Sequence, residues 1–167
     1  MEFRSASSAL KWAYQIMGNE LCKTSSIYSM GGVGRDASRE LTGLERRGQA
    51  AMIVGMMARA AGEGSPGHAY LLMQYGRDGA LLDVLVRYVA TGLTTGAHSR
   101  CGIEKCLRSY CGQEIGISAL CKDIGVNRAA AMAYRKNIYA RMDSLHRVTI
   151  AAAEDALRAA GLIEIAA

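Results

Sequence analysis

The sequence contains little proline and few aromatic residues. Its 167 residues include one proline, one tryptophan and one phenylalanine. Proline interrupts helices and aromatic residues are enriched in strands, so their scarcity favours helices over strands. Half of the residues are apolar, enough for a hydrophobic core, whereas 19 glycines predict short, interrupted helices. We therefore predict an all-α, multi-helix domain.

The sequence also has no apolar run long enough to span a bilayer. The longest such run, AAMIVGMMARAA at 50–61, is too short. The N-terminal stretch MEFRSASSALKWAYQ mixes acidic and basic residues and lacks the apolar region of a secretory signal. Five cysteines, an odd number, fit reduced thiols better than a disulfide framework. These features predict a cytoplasmic protein with no membrane contact.

Catalytic patterns are missing as well. We place His68 in the first turn of a helix and His146 among charged residues, and the carboxylates show no paired arrangement. The segment GGVGR at 31–35 lacks the Gly-Lys-Ser/Thr ending and the preceding strand of a phosphate-binding loop. We expect a protein that is not an enzyme and that binds no cofactor.

A group of cysteines raises the question of a metal site. Cys101, Cys106 and Cys111 are five residues apart, with His98 and Cys121 nearby. Residues five apart on a helix differ by about 140° in direction, so these thiols cannot converge from one helix. Structural zinc sites favour cysteine pairs two to four residues apart. We expect buried or half-buried thiols and no metal.

Capping residues divide the chain into predicted helices. Ser7 or Ser8 can begin the first helix, and the pair Thr42 and Glu45 forms a capping-box pattern. Ser65 and Pro66 can begin a third helix that ends at Gly76. The predicted helices cover 8–18, 42–61, 65–75, 80–92, 101–111 and 117–124, followed by a last helix from 127, with a flexible connection at 24–40.

The apolar residues of the first two helices are expected to lie in the core. We assign Trp12 to the core rather than to a base-stacking surface. Met52, Met56 and Met57 are also assigned to the core, with an adaptable partner surface as the alternative. We divide the chain into an N-terminal helical region at 1–97, a candidate for partner contacts, and a second region at 98–167.

The second region has the layout of a helix-turn-helix. A glycine that tolerates positive φ follows a short apolar helix, and Asn127 is a good N-cap for the next helix. A small residue lies where the helices should touch. The residues that fit these positions are Ile117, Leu120, Cys121, Ile124, Gly125, Val126, Ala131 and Tyr134. An ordinary helical hairpin with a glycine turn is the alternative.

The last helix is predicted to be unusually long. No glycine or proline interrupts residues 126–160, and Gly161 can end the helix. The predicted apolar stripe contains Ala131, Tyr134, Ile138, Leu145, Val148 and Ala152, with Met142 filling the place that Arg141 interrupts. Two helices joined by a kink are the alternative. The stripe beyond residue 138 needs a cover, from this chain or from a second copy in a homo-oligomer.

Positive charge is concentrated around this motif. Residues 117–147 contain six basic and two acidic side chains, a local net charge of +4, whereas the tail after 150 has −2. Because the start of the second helix enters the major groove, Arg128 can bind guanine, Asn127 adenine or a phosphate, and Met132 a thymine methyl group. We expect phosphate contacts from Arg135, Lys136 and Arg141.

The region from HAYLLMQYG (68–76) to NIYARMDSL (137–145), together with SALKWAY near the N-terminus, resembles small phage and prophage regulators with a sigma-region-4 type of helix-turn-helix. The functional class it most resembles is the Q-type late-gene antitermination proteins. That resemblance implies binding to double-stranded DNA near a late promoter in a bacterial host cell. It also implies that the protein joins paused RNA polymerase and lets it pass terminators. By position, Asn127, Arg128, Met132 and Lys136 would contact DNA.

A second hypothesis belongs to another class of function. Two of the outward positions on the helix that should read bases are Ala129 and Ala133, which provide only contact area. Such a surface also fits a phage interaction protein that does not bind DNA and inhibits or redirects a host protein. The concentrated positive charge favours the first hypothesis, and the alanines favour the second.

Overall fold

The computed structural model describes residues 3–18, 42–93 and 99–163, and this part of the chain is all-α. Its only pairing of the β type is an isolated bridge between Phe3 and Ile163. The predicted connection at 24–40, the segment GGVGR and His98 lie outside the described residues. The helices are α1 (Ala6–Gly18), α2 (Gly43–Ala61), α3 (Pro66–Leu71), α4 (Leu82–Ala90), α5 (Arg100–Tyr110), α6 (Ile117–Ile124) and α7 (Arg128–Ala159), with a π turn at Leu72–Gly76 after α3.

Local capping chemistry sets most helix starts where the sequence predicts them. The Thr42 hydroxyl accepts a hydrogen bond from the Glu45 N–H at 3.3 Å, and the Thr42 N–H donates to the Glu45 carboxylate at 2.7 Å. Ser65 and Ser99 accept from the backbone N–H three residues later at the starts of α3 and α5. The first helix differs, because Ser5 accepts from the Ser8 N–H, so neither Ser7 nor Ser8 is the cap.

The long helix α7 is continuous and packs against each of the six other helices that the structure describes. Its 32 residues make it about 48 Å long. Its first part packs with α5 and α6, whereas farther along Tyr70 of α3 meets His146, with 2.6 Å between the Tyr70 hydroxyl and the His146 Nδ1. The described buried side chains form one hydrophobic cluster. The predicted region 1–97 therefore packs against α7 of the predicted region 98–167, and the two regions have one common core.

The buried face of α7 differs from the predicted stripe in its second half. Ala131, Tyr134, Ile138 and Met142 are buried, but Val148 is 70% exposed. The buried positions beyond Met142 are Thr149, Ala153 and Leu157. An α-helix has 3.6 residues per turn, so a core-facing stripe drifts from any fixed spacing over about nine turns. Helix α3 of the same chain covers part of this half, since Tyr70 meets His146 and Gly67 lies against Thr149.

Two further differences concern the N-terminal helices. The predicted helix 65–75 is α-helical only to Leu71, and the π turn carries the chain to Gly76. In α2, Met57 is buried and Met56 is half-buried, as predicted for the core, but Met52 is exposed. Trp12 is partly buried against Phe3, with the ring centroids 5.4 Å apart, in line with its assignment to the core.

Candidate nucleic-acid interface

Three helices build the candidate interface. Helices α5, α6 and the first turns of α7 pack against one another, and the buried side chains of this unit include Ile103, Leu107, Leu120, Ala131 and Tyr134. Helix α5 comes close to the other two because residue 102 is glycine. A Cβ at Gly102 would overlap the Ile124 side chain and lie 3.4 Å from the Tyr134 hydroxyl. The predicted hairpin thus lies within a three-helix unit.

The turn between α6 and α7 has the geometry that its sequence predicts. Gly125 ends α6 in the left-handed conformation, with φ 66° and ψ 31°, and its N–H donates to the Cys121 carbonyl. Asn127 then caps α7, because its side-chain oxygen accepts a hydrogen bond from the Ala130 N–H at 2.9 Å. These two local interactions fix the direction in which α7 leaves the turn.

The solvent-facing side of the first turns of α7 carries part of the predicted contact set. Arg128, Met132 and Lys136 are exposed, and Met132 retains 50% of its accessible surface. Neither Arg128 nor Lys136 has a hydrogen bond or ion pair with another described residue. The three side chains are four residues apart and therefore follow one another along the helix. Both cationic groups are available to a ligand.

Asn127 has a more limited capacity for contacts than its exposure suggests. Its side-chain oxygen is used by the cap, so the amide NH₂ remains as a donor. A bidentate contact to adenine needs both the oxygen and the NH₂ group. Asn127 is therefore better suited to donating to a phosphate than to reading a base.

Arg135 lies beside the exposed row rather than in it. It is half-buried, and its guanidinium carbon is 5.9 Å from the ring centroid of Tyr139. The Tyr139 hydroxyl donates to Ser109 of α5 at 2.8 Å. The Arg135 side chain thus lies at the junction of α5 and α7, where a phosphate contact requires DNA to reach the edge of the three-helix unit.

Arg141 is turned toward the protein. Its guanidinium donates to the Tyr88 carbonyl at 2.8 Å and stacks over the Tyr88 ring at 4.7 Å from the centroid. Gly92 allows this position, because a Cβ there would overlap the guanidinium. The structure therefore does not bring Arg141 to the exposed row. It gives Arg141 a role at the C-terminal end of α4.

One contribution to the interface was missed at the sequence level. Lys105 of α5 forms an ion pair with Asp123 of α6, which compensates one of the two acidic side chains near the motif. The other, Asp143, accepts a hydrogen bond from Tyr110 at 2.8 Å. Lys122 is exposed on α6 and unpaired among the described residues. The sequence could not predict that Lys122 is unpaired, because its neighbour Asp123 pairs with a residue of another helix.

The cysteines do not form a metal site in the described ranges 3–18, 42–93 and 99–163. No group of three or more His, Cys, Asp or Glu side chains is placed to hold an ion there. Burial raises the pKa of Cys106 and of Cys111 to about 11, so both remain protonated thiols near neutral pH. Because the thiolate is the form that binds metal, the raised pKa makes these two thiols weaker ligands than exposed ones.

Comparison with known proteins adds no relative. No protein-family model, no curated protein and no solved structure matches this chain.

Within the part of the chain that the structure describes, none of the helices combines the length and the apolar character that a bilayer span requires.

The different placements of Arg141 and Lys136 lead to a testable difference. If DNA lies along the exposed row, Lys136→Ala reduces the slope of log affinity against log salt by about one unit, because one phosphate contact is lost. We expect Arg141→Ala to leave that slope unchanged and to lower the free energy of unfolding by about 1–3 kcal/mol, through the lost hydrogen bond and stacking. Equal slope changes in both variants would place Arg141 at the DNA.

Proposed function

We propose that this protein is a phage-type transcription regulator that binds double-stranded DNA through its helix-turn-helix. The observation that carries the proposal is the row Arg128, Met132 and Lys136 at the start of α7, exposed and with both cations unpaired among the described residues. That end of a second helix is the part that enters the major groove in such motifs. In this proposal the protein is not an enzyme and needs no cofactor.

The row supports modest sequence specificity. Arg128 offers one bidentate contact to guanine, worth about 1–3 kcal/mol, and Met132 offers an apolar contact to a thymine methyl group. Lys136 contributes mainly to phosphate binding. Recognition of a long site therefore requires a second copy of this chain or a protein bound beside it.

Host RNA polymerase is the partner that we propose, with late-gene antitermination as the activity. The support is the resemblance in layout to Q-type antitermination proteins, which join polymerase at a DNA site. A regulator held beside polymerase needs little specificity of its own, which agrees with the short row of base contacts. The helices α1 to α4 offer the remaining surface for that partner.

The proposal is tested by measuring how the protein binds DNA fragments taken from around its own gene. At two salt concentrations, on the order of 50 and 200 mM, we expect specific binding by the wild type and a loss of about 1–3 kcal/mol in Arg128→Ala. Arg147→Ala is the matched control, since Arg147 is also exposed on α7 but lies about 29 Å farther along the helix. Read-through of a terminator by polymerase that starts at the bound fragment tests the activity.

A contrary result would support the second hypothesis. Weak binding that salt abolishes equally in the wild type and in both variants would show generic basicity only. The exposed alanines Ala129, Ala130 and Ala133 would then be read as a flat protein-contact surface. The protein would be assigned as an interaction protein that inhibits or redirects a host protein.

A further inference from the structure

A second feature lies away from the exposed row of α7. A cavity of about 390 Å³ opens between the segment that follows the π turn and the C-terminal end of α5. Its volume falls within the range of small-ligand sites, about 300–1,000 Å³. The residues that line it are Met73, Arg77, Asp78, Gly79, Leu82, Arg108, Cys111, Gly112 and Gln113.

The charged groups of this cavity favour an anion. Arg77 comes from the end of the π turn, and Arg108 comes from the last turn of α5. Neither guanidinium has a hydrogen bond or ion pair with another described residue. The single carboxylate of the lining, that of Asp78, accepts a hydrogen bond from the Ala80 N–H at 2.8 Å. Two unpaired guanidiniums that line one cavity are typical of phosphate recognition, because each can donate two parallel hydrogen bonds.

The backbone at Arg77 is a second, independent observation. Arg77 ends the π turn in the left-handed conformation, with φ 52° and ψ 27°, and among the described residues it is the one non-glycine with positive φ. A glycine would adopt this conformation without strain. Both π turns and strained residues are concentrated at functional sites. An arginine side chain at this strained position is explained if the side chain has a function.

The rest of the lining indicates the size and character of the ligand. Met73 and Leu82 provide an apolar wall beside the two guanidiniums. We propose that this cavity binds a small phosphate-bearing ligand, with the phosphate between Arg77 and Arg108 and an apolar portion against Met73 and Leu82. The proposal does not depend on the function of the exposed row, since the two sites share no residue.

The site is placed to influence the three-helix unit. Arg108 and Cys111 lie at the C-terminal end of α5, and Leu107 of the same helix is buried in the core. A ligand held by Arg108 and Arg77 would tie that end of α5 to the chain after the π turn. The same phosphate chemistry could also come from the DNA backbone, and the experiment separates the two sources.

The test is a titration of the full-length, ¹⁵N-labelled protein with inorganic phosphate at constant ionic strength. We expect saturable shifts of the Gly79 and Gly112 amide signals, and roughly tenfold weaker binding in Arg77→Gly and in Arg108→Gln. Arg87→Gln is the control, because Arg87 is exposed on α4 and does not line the cavity. Without phosphate, Arg77→Gly should be at least as stable as the wild type, since the strain is removed.

The alternative outcomes are distinct. If inorganic phosphate does not bind, but Arg77→Gly and Arg108→Gln weaken binding to a short DNA duplex and Arg87→Gln does not, the cavity takes its phosphate from DNA. If neither phosphate nor duplex binding responds to the two substitutions, the proposal is wrong. Shifts spread over the basic surface without saturation would also overturn it.

Discussion

Ile138→Ala is expected to lower the free energy of unfolding by about 2–5 kcal/mol. Ile138 is fully buried, with 0% of its surface accessible, in the first half of α7. Truncation to alanine removes three buried carbon atoms and leaves a cavity that the long helix cannot collapse around, because the six other described helices hold it in place. Urea denaturation followed by circular dichroism measures the loss.

Val148→Ala is the matched control on the same helix. Its side chain is 70% exposed, so we expect a change within about 0.5 kcal/mol. Both substitutions replace a β-branched residue by alanine within α7, so their difference reports burial rather than helix propensity. Equal losses at the two positions would mean that the second half of α7 is rotated toward the stripe that the sequence predicts.

Gly102→Ala is the second large effect. We expect a loss of about 1–3 kcal/mol, because the added methyl group overlaps the Ile124 side chain at the contact between α5 and α6. The better helix propensity of alanine, worth about 1 kcal/mol, acts in the opposite direction and offsets part of the strain. If the three-helix unit binds DNA, the same substitution should also weaken DNA binding by displacing the start of α7.

Gly48→Ala is its control. Gly48 is exposed within α2, and a Cβ there would meet nothing within 4 Å. Alanine should therefore stabilise the protein by about 0.5–1 kcal/mol without affecting DNA binding. Opposite signs for the two Gly→Ala changes would confirm the close approach of α5. A stabilising effect at both positions would show that α5 is not held against α6.

The proposed DNA surface and the proposed phosphate cavity give the chain two separate anion sites. The first uses Arg128 and Lys136 on a helix face, and the second uses Arg77 and Arg108 around a cavity. None of these four cationic side chains has a hydrogen bond or ion pair with another described residue, and the two proposals are tested by different substitutions. Failure of either proposal therefore leaves the other intact.

Much of the fold could be predicted because its causes are local. Thr42 with Glu45, Gly125 with Asn127, and Gly161 each act within a few residues, so the sequence alone indicates where α2, α6 and α7 begin or end. The length of α7 follows from the absence of glycine and proline after the turn. The exposure of Arg128 and Met132 follows from the helical period and the buried Ala131.

Other features depend on residues that are distant in sequence. Arg141 points to the Tyr88 carbonyl because α4 lies across α7, which no local pattern could show. Thr149 is buried in place of Val148 because α3 packs there, with Gly67 against its hydroxyl.

The cavity around Arg77 and Arg108 likewise exists only when the π turn and the end of α5 meet. The sequence by itself determined most of the helices and caps, which depend on hydrogen bonds to near neighbours, but not the Ser5 cap of α1 or the π turn after α3. The tertiary structure decided which side chains are buried and which cations remain free, because burial and pairing depend on partners from other helices.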